Sequence, residues 1–196
     1  MQPFATHLDL RSGALRPAGP VVLRRLSDVG PMFADQAAVA GILEREGDRL
    51  IYEVYPVDLP EEPGQVLHGS TILYPGRVGD QFHMTKGHFH TRRDRAEVYL
   101  CLSGRGALLL QTEDGQTRLL PMEPGTVAYV PPYWGHRTAN TGDEPFVFFA
   151  AWPGDSGHDY AAVERGDFPK ILVARGGQAI LIDNPRVGAP RPAKSD

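Results

Sequence analysis

The 196-residue chain has a single cysteine, Cys101, only two tryptophans, and no apolar run that approaches the length needed to span a bilayer. One cysteine closes no disulfide within the chain, and its place inside an apolar stretch marks it as a buried, inert thiol, so nothing points to an oxidising compartment. Residues 1–16 lack the basic start and the continuous apolar stretch of an export signal, so the expected location is the cytoplasm, with no membrane partner. Excess positive charge is also missing: 20 Lys and Arg against 24 Asp and Glu give a net charge of -4, which offers no footprint for nucleic acid. No Gly-rich dinucleotide fingerprint or P-loop occurs, so no nucleotide cofactor is expected. What is present is an ordinary apolar share of 41% with an excess of turn formers, 22 Gly and 18 Pro, which favours many short strands around one core.

A helical stripe lies between Ser27 and Glu46, with Ser27 as its cap, Pro31 in the first turn and Met32, Phe33, Ala37, Ala40, Ile42 and Leu43 on one side. From Leu50 the pattern changes to period two. Strands are predicted at 50–57, 70–74, 96–102, 106–111, 126–130, 146–152, 171–174 and 179–182, separated by turns such as Tyr74-Pro75-Gly76 and Glu123-Pro124-Gly125. The fold class is therefore all-β, a sandwich or small barrel preceded by a short helix. Residues 1–185 read as one domain without repeat or linker, and the proline-rich stretch 186–196 as a loose tail.

Three of the seven histidines fall within Phe82-His83-Met84-Thr85-Lys86-Gly87-His88-Phe89-His90. On a strand, residues two apart share a face, so His88 and His90 aim both imidazoles into one space. Glu97 opens the next strand; if it faces inward, Tyr99 and Cys101 line the same cavity. Far downstream, Gly125-Thr126-Val127-Ala128-Tyr129-Val130-Pro131-Pro132-Tyr133-Trp134-Gly135-His136 brings a third imidazole to the end of another strand, with Asn140 just after it. Three imidazoles and a carboxylate suit Fe, Mn, Ni, Co or Zn rather than Ca or Mg, which prefer oxygen ligands.

The spacing of His88, His90, Glu97 and Gly104, and of Gly125, Pro131, His136 and Asn140, resembles the two motifs of the cupin superfamily. Phe82 and Tyr133 stand where those motifs usually carry glycine, and six residues separate His90 from Glu97, more than most cupins have. With that longer spacing, Thr85-Lys86-Gly87-His88-Phe89-His90, Asp94-Arg95-Ala96-Glu97-Val98-Tyr99, Tyr129-Val130-Pro131-Pro132-Tyr133-Trp134 and Gly157-His158-Asp159-Tyr160-Ala161 look like the cupin-type glucose-6-phosphate isomerases. The similarity runs from about Arg24 to Pro185.

The resemblance implies a double-stranded β-helix, or jelly-roll barrel, and a metal-dependent aldose-ketose isomerase of glycolysis and gluconeogenesis. It further implies a homodimer acting on a sugar 6-phosphate, with one divalent ion per subunit. Ferrous iron is the leading expectation, with Mn, Ni, Co and Zn as alternatives. His88, His90, Glu97 and His136 would hold the ion, and Glu97 or His158 would carry the proton. Thr71, Thr85 and Gly87 would bind phosphate, Lys86 would add charge, and Tyr52, Tyr99 and Tyr160 would complete the pocket; Trp152 replaces an expected tyrosine. A cupin dioxygenase with the same four ligands and a non-enzymatic sugar-binding cupin are the competing readings.

Overall fold

The computed structural model describes residues 1–166 and 168–187, so most of the tail expected at 186–196 lies outside the described residues. A hairpin of β1 (His7–Leu8) and β2 (Leu15–Arg16) precedes β3 (Val22–Arg25), α1 (Leu26–Val29), a 3-10 turn (Gly30–Met32) and α2 (Gln36–Glu46). Then follow β4 (Leu50–Pro56), β5 (Val66–Leu73), β6 (Arg77–Val78), β7 (Gln81–Phe82), β8 (Glu97–Ser103), β9 (Gly106–Thr112) and β10 (Thr117–Met122). The chain continues through β11 (Val127–Val130), β12 (Trp134–Asn140), β13 (Phe146–Pro153), α3 (Tyr160–Gly166), β14 (Lys170–Arg175) and β15 (Gln178–Asp183).

The strands form an antiparallel six-stranded sheet, β11-β8-β13-β5-β4-β3, facing a three-stranded sheet, β10-β9-β12, with β15-β14-β7-β6 as a further sheet. Period two decides which side chains meet. Glu97, Tyr99 and Cys101 are buried on β8, while Val98 between them is exposed. Phe146 and Phe148 of the larger sheet and Leu108 and Leu110 of the smaller one belong to the same core. This two-layer, jelly-roll arrangement is the cupin fold.

The helix expected from Ser27 to Glu46 is two helices. Pro31 has no N–H to donate, and the chain leaves the 3-10 turn extended at Phe33. Asp35 then caps α2 by accepting from the Ala38 amide at 2.8 Å. Ser27 instead donates its hydroxyl to Asp48, 2.7 Å away. Strands β10 and β12 were not predicted, for different reasons. Pro121 interrupts the pattern of β10, yet β10 is an edge strand, where a missing donor is harmless. β12 is buried almost throughout and polar on both faces, so its sequence does not alternate.

Candidate active site

The segment carrying His88 and His90 is not a regular strand but a bulged edge against β12. Met84 bridges Ala139 and His88 bridges His136, so four steps on one side face three on the other. The extra residue is accommodated by Gly87, whose φ is +71°. A Cβ at Gly87 would lie 2.8 Å from the His136 carbonyl oxygen and 2.9 Å from Arg137 Cβ, so glycine is required both for the turn and for the close approach. The peptide before it is held at both ends: the Lys86 N–H donates to the Tyr52 hydroxyl at 3.4 Å, and its carbonyl accepts from Arg137 Nε and Nη2 at 3.1 and 2.7 Å. Arg137 itself is 2% exposed and lies over the Phe168 ring.

His136, expected at the end of a strand, lies near the start of β12, and the facing sheets bring it to Glu97 at the start of β8. Among the described residues His88, His90, Glu97 and His136 offer ligand atoms that all lie within 4.8 Å of one another. Glu97 Oε2 is 3.0 Å from His90 Nε2 and 3.1 Å from His136 Nε2. The outer nitrogens face carbonyls: His90 Nδ1 lies 3.0 Å from Arg95 O and His136 Nδ1 3.4 Å from Trp134 O. Those contacts place N–H at Nδ1 and leave each Nε2 turned inward toward Glu97. His88 Nε2 is buried without a hydrogen-bond partner, and His136 Nε2 has only the Glu97 carboxylate before it. Lone pairs facing a carboxylate in a buried space are stabilised by a cation among them, and the nitrogen-rich set fits a divalent transition ion.

Electrostatics agree with this donor set. Burial holds His88 well below the usual imidazole range, assisted by its histidine neighbours, so it is neutral and free to donate its lone pair. Burial alone would raise the Glu97 carboxyl, but positive charge in the cluster at His136, His90 and His88 outweighs burial and lowers it, and a cation held among neutral imidazoles would supply the same charge and keep it ionised. Tyr99 is pushed well above its ordinary value by burial and then by the Glu97 charge, which keeps its hydroxyl a donor.

Above the cluster opens a cavity of about 390 Å³. Its lining includes His88, Glu97 and His136, together with Tyr52, Thr71, Thr85, Gly87, Tyr99, His158 and Tyr160. Trp152 lines it too and meets the His158 ring edge-on at 6.1 Å. His158 packs against His88 at 4.6 Å between ring centroids and stacks on Tyr160 at 5.9 Å. Burial lowers the His158 pKa and pushes Tyr52 up to about 12. Two expected site residues stay outside the lining. His90 lies behind it, 3% exposed, and Lys86 contributes its backbone to the bulge rather than its ammonium to the cavity. Cys101, expected beside Tyr99, is buried in the core, where its thiol is pushed up to about 11 by burial. A lining residue that sequence reasoning missed is Arg24, on a strand too short to show its period.

Residues 23–194 match the family model described as Glucose-6-phosphate isomerase (GPI). A glucose-6-phosphate isomerase of Pyrococcus horikoshii is 50% identical over 185 residues, covering 94% of this chain and 97% of its own. One from Sinorhizobium medicae is 36% identical over 177 residues, covering 90% of this chain and 83% of its own. Among solved structures, the oxalate decarboxylase of Bacillus subtilis superposes with a TM-score of 0.44 at 26% identity, over 53% of this chain and 26% of that chain.

Proposed function

The chain belongs to the glucose-6-phosphate isomerase family, and from that premise we propose that it interconverts glucose 6-phosphate and fructose 6-phosphate as a metal-dependent aldose-ketose isomerase. The observation that carries the metal dependence is the buried donor set itself, with His88 Nε2 unpartnered and the Nε2 atoms of His90 and His136 turned on an ionised Glu97. His88, His90, Glu97 and His136 would hold a divalent ion, with ferrous iron first and Mn, Ni, Co or Zn as alternatives, and the bound ion would polarise the sugar carbonyl and offset charge on the reacting oxygens.

The reaction moves one proton from carbon 2 to carbon 1 and one from oxygen 2 to oxygen 1, through an enediol. Glu97 is ionised and lines the cavity, so its carboxylate accepts the carbon-bound proton and returns it to the neighbouring carbon. His158, on the wall beside His88, is neutral at pH 7 because burial lowers its pKa. A neutral imidazole both accepts and donates, which suits it to ring opening and to the oxygen-to-oxygen transfer. Tyr99 donates its hydroxyl to a sugar oxygen. Thr71, Thr85 and the Gly87 amide, with Tyr52 and Tyr160, would hold the phosphate, the Gly87 bulge supplying a backbone donor as anion-binding nests do.

The setting follows from the same reading: a glycolytic and gluconeogenic enzyme of the cytoplasm, in keeping with its one free, buried cysteine. No helix among the described residues is long and apolar enough to cross a membrane. A homodimer is supported by the outer face of the six-stranded sheet, where Val98, Val127 and Tyr129 are exposed on adjacent strands.

The test is a coupled isomerase assay on purified protein, with metal content measured alongside. Chelation followed by dialysis should abolish activity, and a divalent transition ion should restore it. Glu97→Gln, which keeps a ligating oxygen but accepts no proton, should lower kcat by about 10²-fold or more in variant that still holds its ion. Full activity after exhaustive chelation overturns the metal dependence, and near-normal turnover of the metal-replete variant removes Glu97 from the base role.

A further inference from the structure

Three carboxylates, Asp58, Glu61 and Glu97, line the cavity, yet the ligand assigned to it is a phosphate dianion. Hydroxyl and amide donors alone leave that charge facing three of its own sign. The lining contains one cationic side chain, and it is Arg24. Alternation on β3 turns Val22 and Arg24 inward and leaves Leu23 47% exposed. Register places Arg24 opposite Tyr52 on β4, and the neighbouring inward row runs Val22, Val54, Thr71 and Phe148, one pleat repeat of about 7 Å away. Tyr99 stands a further row along, in the direction of Glu97. Arg24 thus lies at the far end of the cavity from the histidine cluster, beside two of the residues assigned to phosphate.

Two observations fix where its charge acts. Arg24 is paired in register with Tyr52 and lines the cavity with Tyr52 and Tyr160, and its guanidinium works against the rise that burial causes at each hydroxyl. No ion pair involving Arg24 is formed among the described residues, and its Nη1 lies 3.4 Å from the Leu23 carbonyl oxygen. The neighbouring arginines behave differently: Arg25 donates to the Asp48 carbonyl at 2.8 Å, and Arg137 is held under the Lys86 carbonyl. A half-buried guanidinium that faces a polar cavity and forms no ion pair with the carboxylates lining it is matched to a planar or tetrahedral oxyanion.

We propose that Arg24 is a specificity-determining residue that binds the 6-phosphate of the substrate, beside Tyr52 and Thr71, and supplies the positive charge expected from Lys86. The proposal rests on the isomerase reading and deepens it. The carboxylates at Asp58 and Glu61 strengthen the selection, because an anionic group is repelled from their side and drawn to the Arg24 end, which leaves the sugar carbons toward Glu97.

The experiment compares Arg24→Gln and Arg24→Lys with wild type and with Thr85→Ala, all metal-replete. Arg24→Gln should raise KM for fructose 6-phosphate about ten- to hundredfold with kcat changed by no more than a few-fold, because the phosphate is remote from the reacting carbons and held alike in ground and transition states. Arg24→Lys should recover part of the loss. Inorganic phosphate, tested as a competitive inhibitor, should weaken in parallel, turnover of unphosphorylated fructose should not move, and metal content should match wild type. If Thr85→Ala raises KM while Arg24→Gln leaves both KM and phosphate inhibition unchanged, Arg24 is overturned and the phosphate subsite stands. If neither variant moves KM, or wild type has no isomerase activity, the underlying reading fails and Arg24 with it. A fall in kcat with KM constant in Arg24→Gln also overturns the assignment.

Discussion

His83 is 2% exposed, its Nδ1 lies 3.1 Å from the Tyr74 carbonyl oxygen, and Gly76 packs so close that a Cβ there would sit 2.5 Å from the ring. Burial, reinforced by the positive charge of Arg49, pushes its pKa down to about 4 from an ordinary 6.5. The folded chain therefore resists protonation over a range in which the unfolded chain accepts it. Stability from this group is complete above about pH 6.5 and is lost as pH falls toward 4. Between pH 7 and pH 5 the loss is about 2 kcal/mol, at 1.36 kcal/mol per pKa unit. His83→Gln should be less sensitive by that amount, measured as the difference in urea-unfolding free energy between the two pH values, since groups common to both proteins cancel. Equal pH dependence in variant and wild type would remove the imidazole as the source. Gly87 illustrates the other kind of residue-scale constraint, where the absence of a side chain brings a donor amide to the cavity wall.

Among the connecting elements, the six-residue spacer between His90 and Glu97 has a visible task. Arg95 Nε and Nη2 donate to Asp155 at 2.8 and 2.7 Å, Arg92 Nη1 donates to Asp155 at 2.6 Å, and Arg93 Nη2 donates to Asp159 at 2.8 Å. These contacts fasten the spacer to the loop that carries His158. The Arg95 carbonyl meanwhile fixes the His90 tautomer, so a metal-cluster histidine and His158 share one scaffold. The Arg93 carbonyl accepts from the Tyr133 amide at 2.6 Å, which helps hold Tyr133 at φ +71°, where the cupin pattern usually has glycine. Asp155→Ala removes the acceptor common to Arg92 and Arg95. Its expected outcome is faster hydrogen exchange across residues 154–159, together with a roughly tenfold fall in kcat, given the sensitivity of catalysis to positioning. Unchanged exchange and unchanged kcat would show that the spacer's other contacts suffice.

Across the whole molecule, the outer face of the six-stranded sheet is only partly covered. The N-terminal hairpin covers part of it: a Cβ on Gly13 would lie 2.5 Å from Val147 and 3.1 Å from Ile72, whose strand neighbours face the core. Val127 and Tyr129 on β11 remain 67% and 58% exposed, beside Val98 on β8, which Tyr129 faces across the ladder. An edge strand with apolar side chains outward is an aggregation hazard unless a partner covers it. Under the homodimer reading, Tyr129→Asp should lower the mass measured by light scattering from two chains to one without unfolding the exposed site. A monomeric wild type, or a dimer indifferent to this change, would locate the contact elsewhere or dispense with it.

Local chemistry was readable without coordinates. Period two marked the buried face of β8, and His88, His90, Glu97 and His136 stood out because residues two apart on a strand share a face and the spacing of the full set resembles the cupin motifs. Tertiary structure alone decided what these residues meet. Pro31 divides a helix that the apolar stripe alone would carry through, since a pattern of side chains does not register a missing N–H. β12 was illegible because burial on both faces erases alternation, and it is the strand that delivers His136 to Glu97. The cation at the cavity wall is Arg24, to which the sequence assigned no role, and not Lys86, for the same reason. Which of two cations faces a cavity is set by strand register and by a one-residue bulge at Gly87, and these depend on pairings between segments distant in the chain.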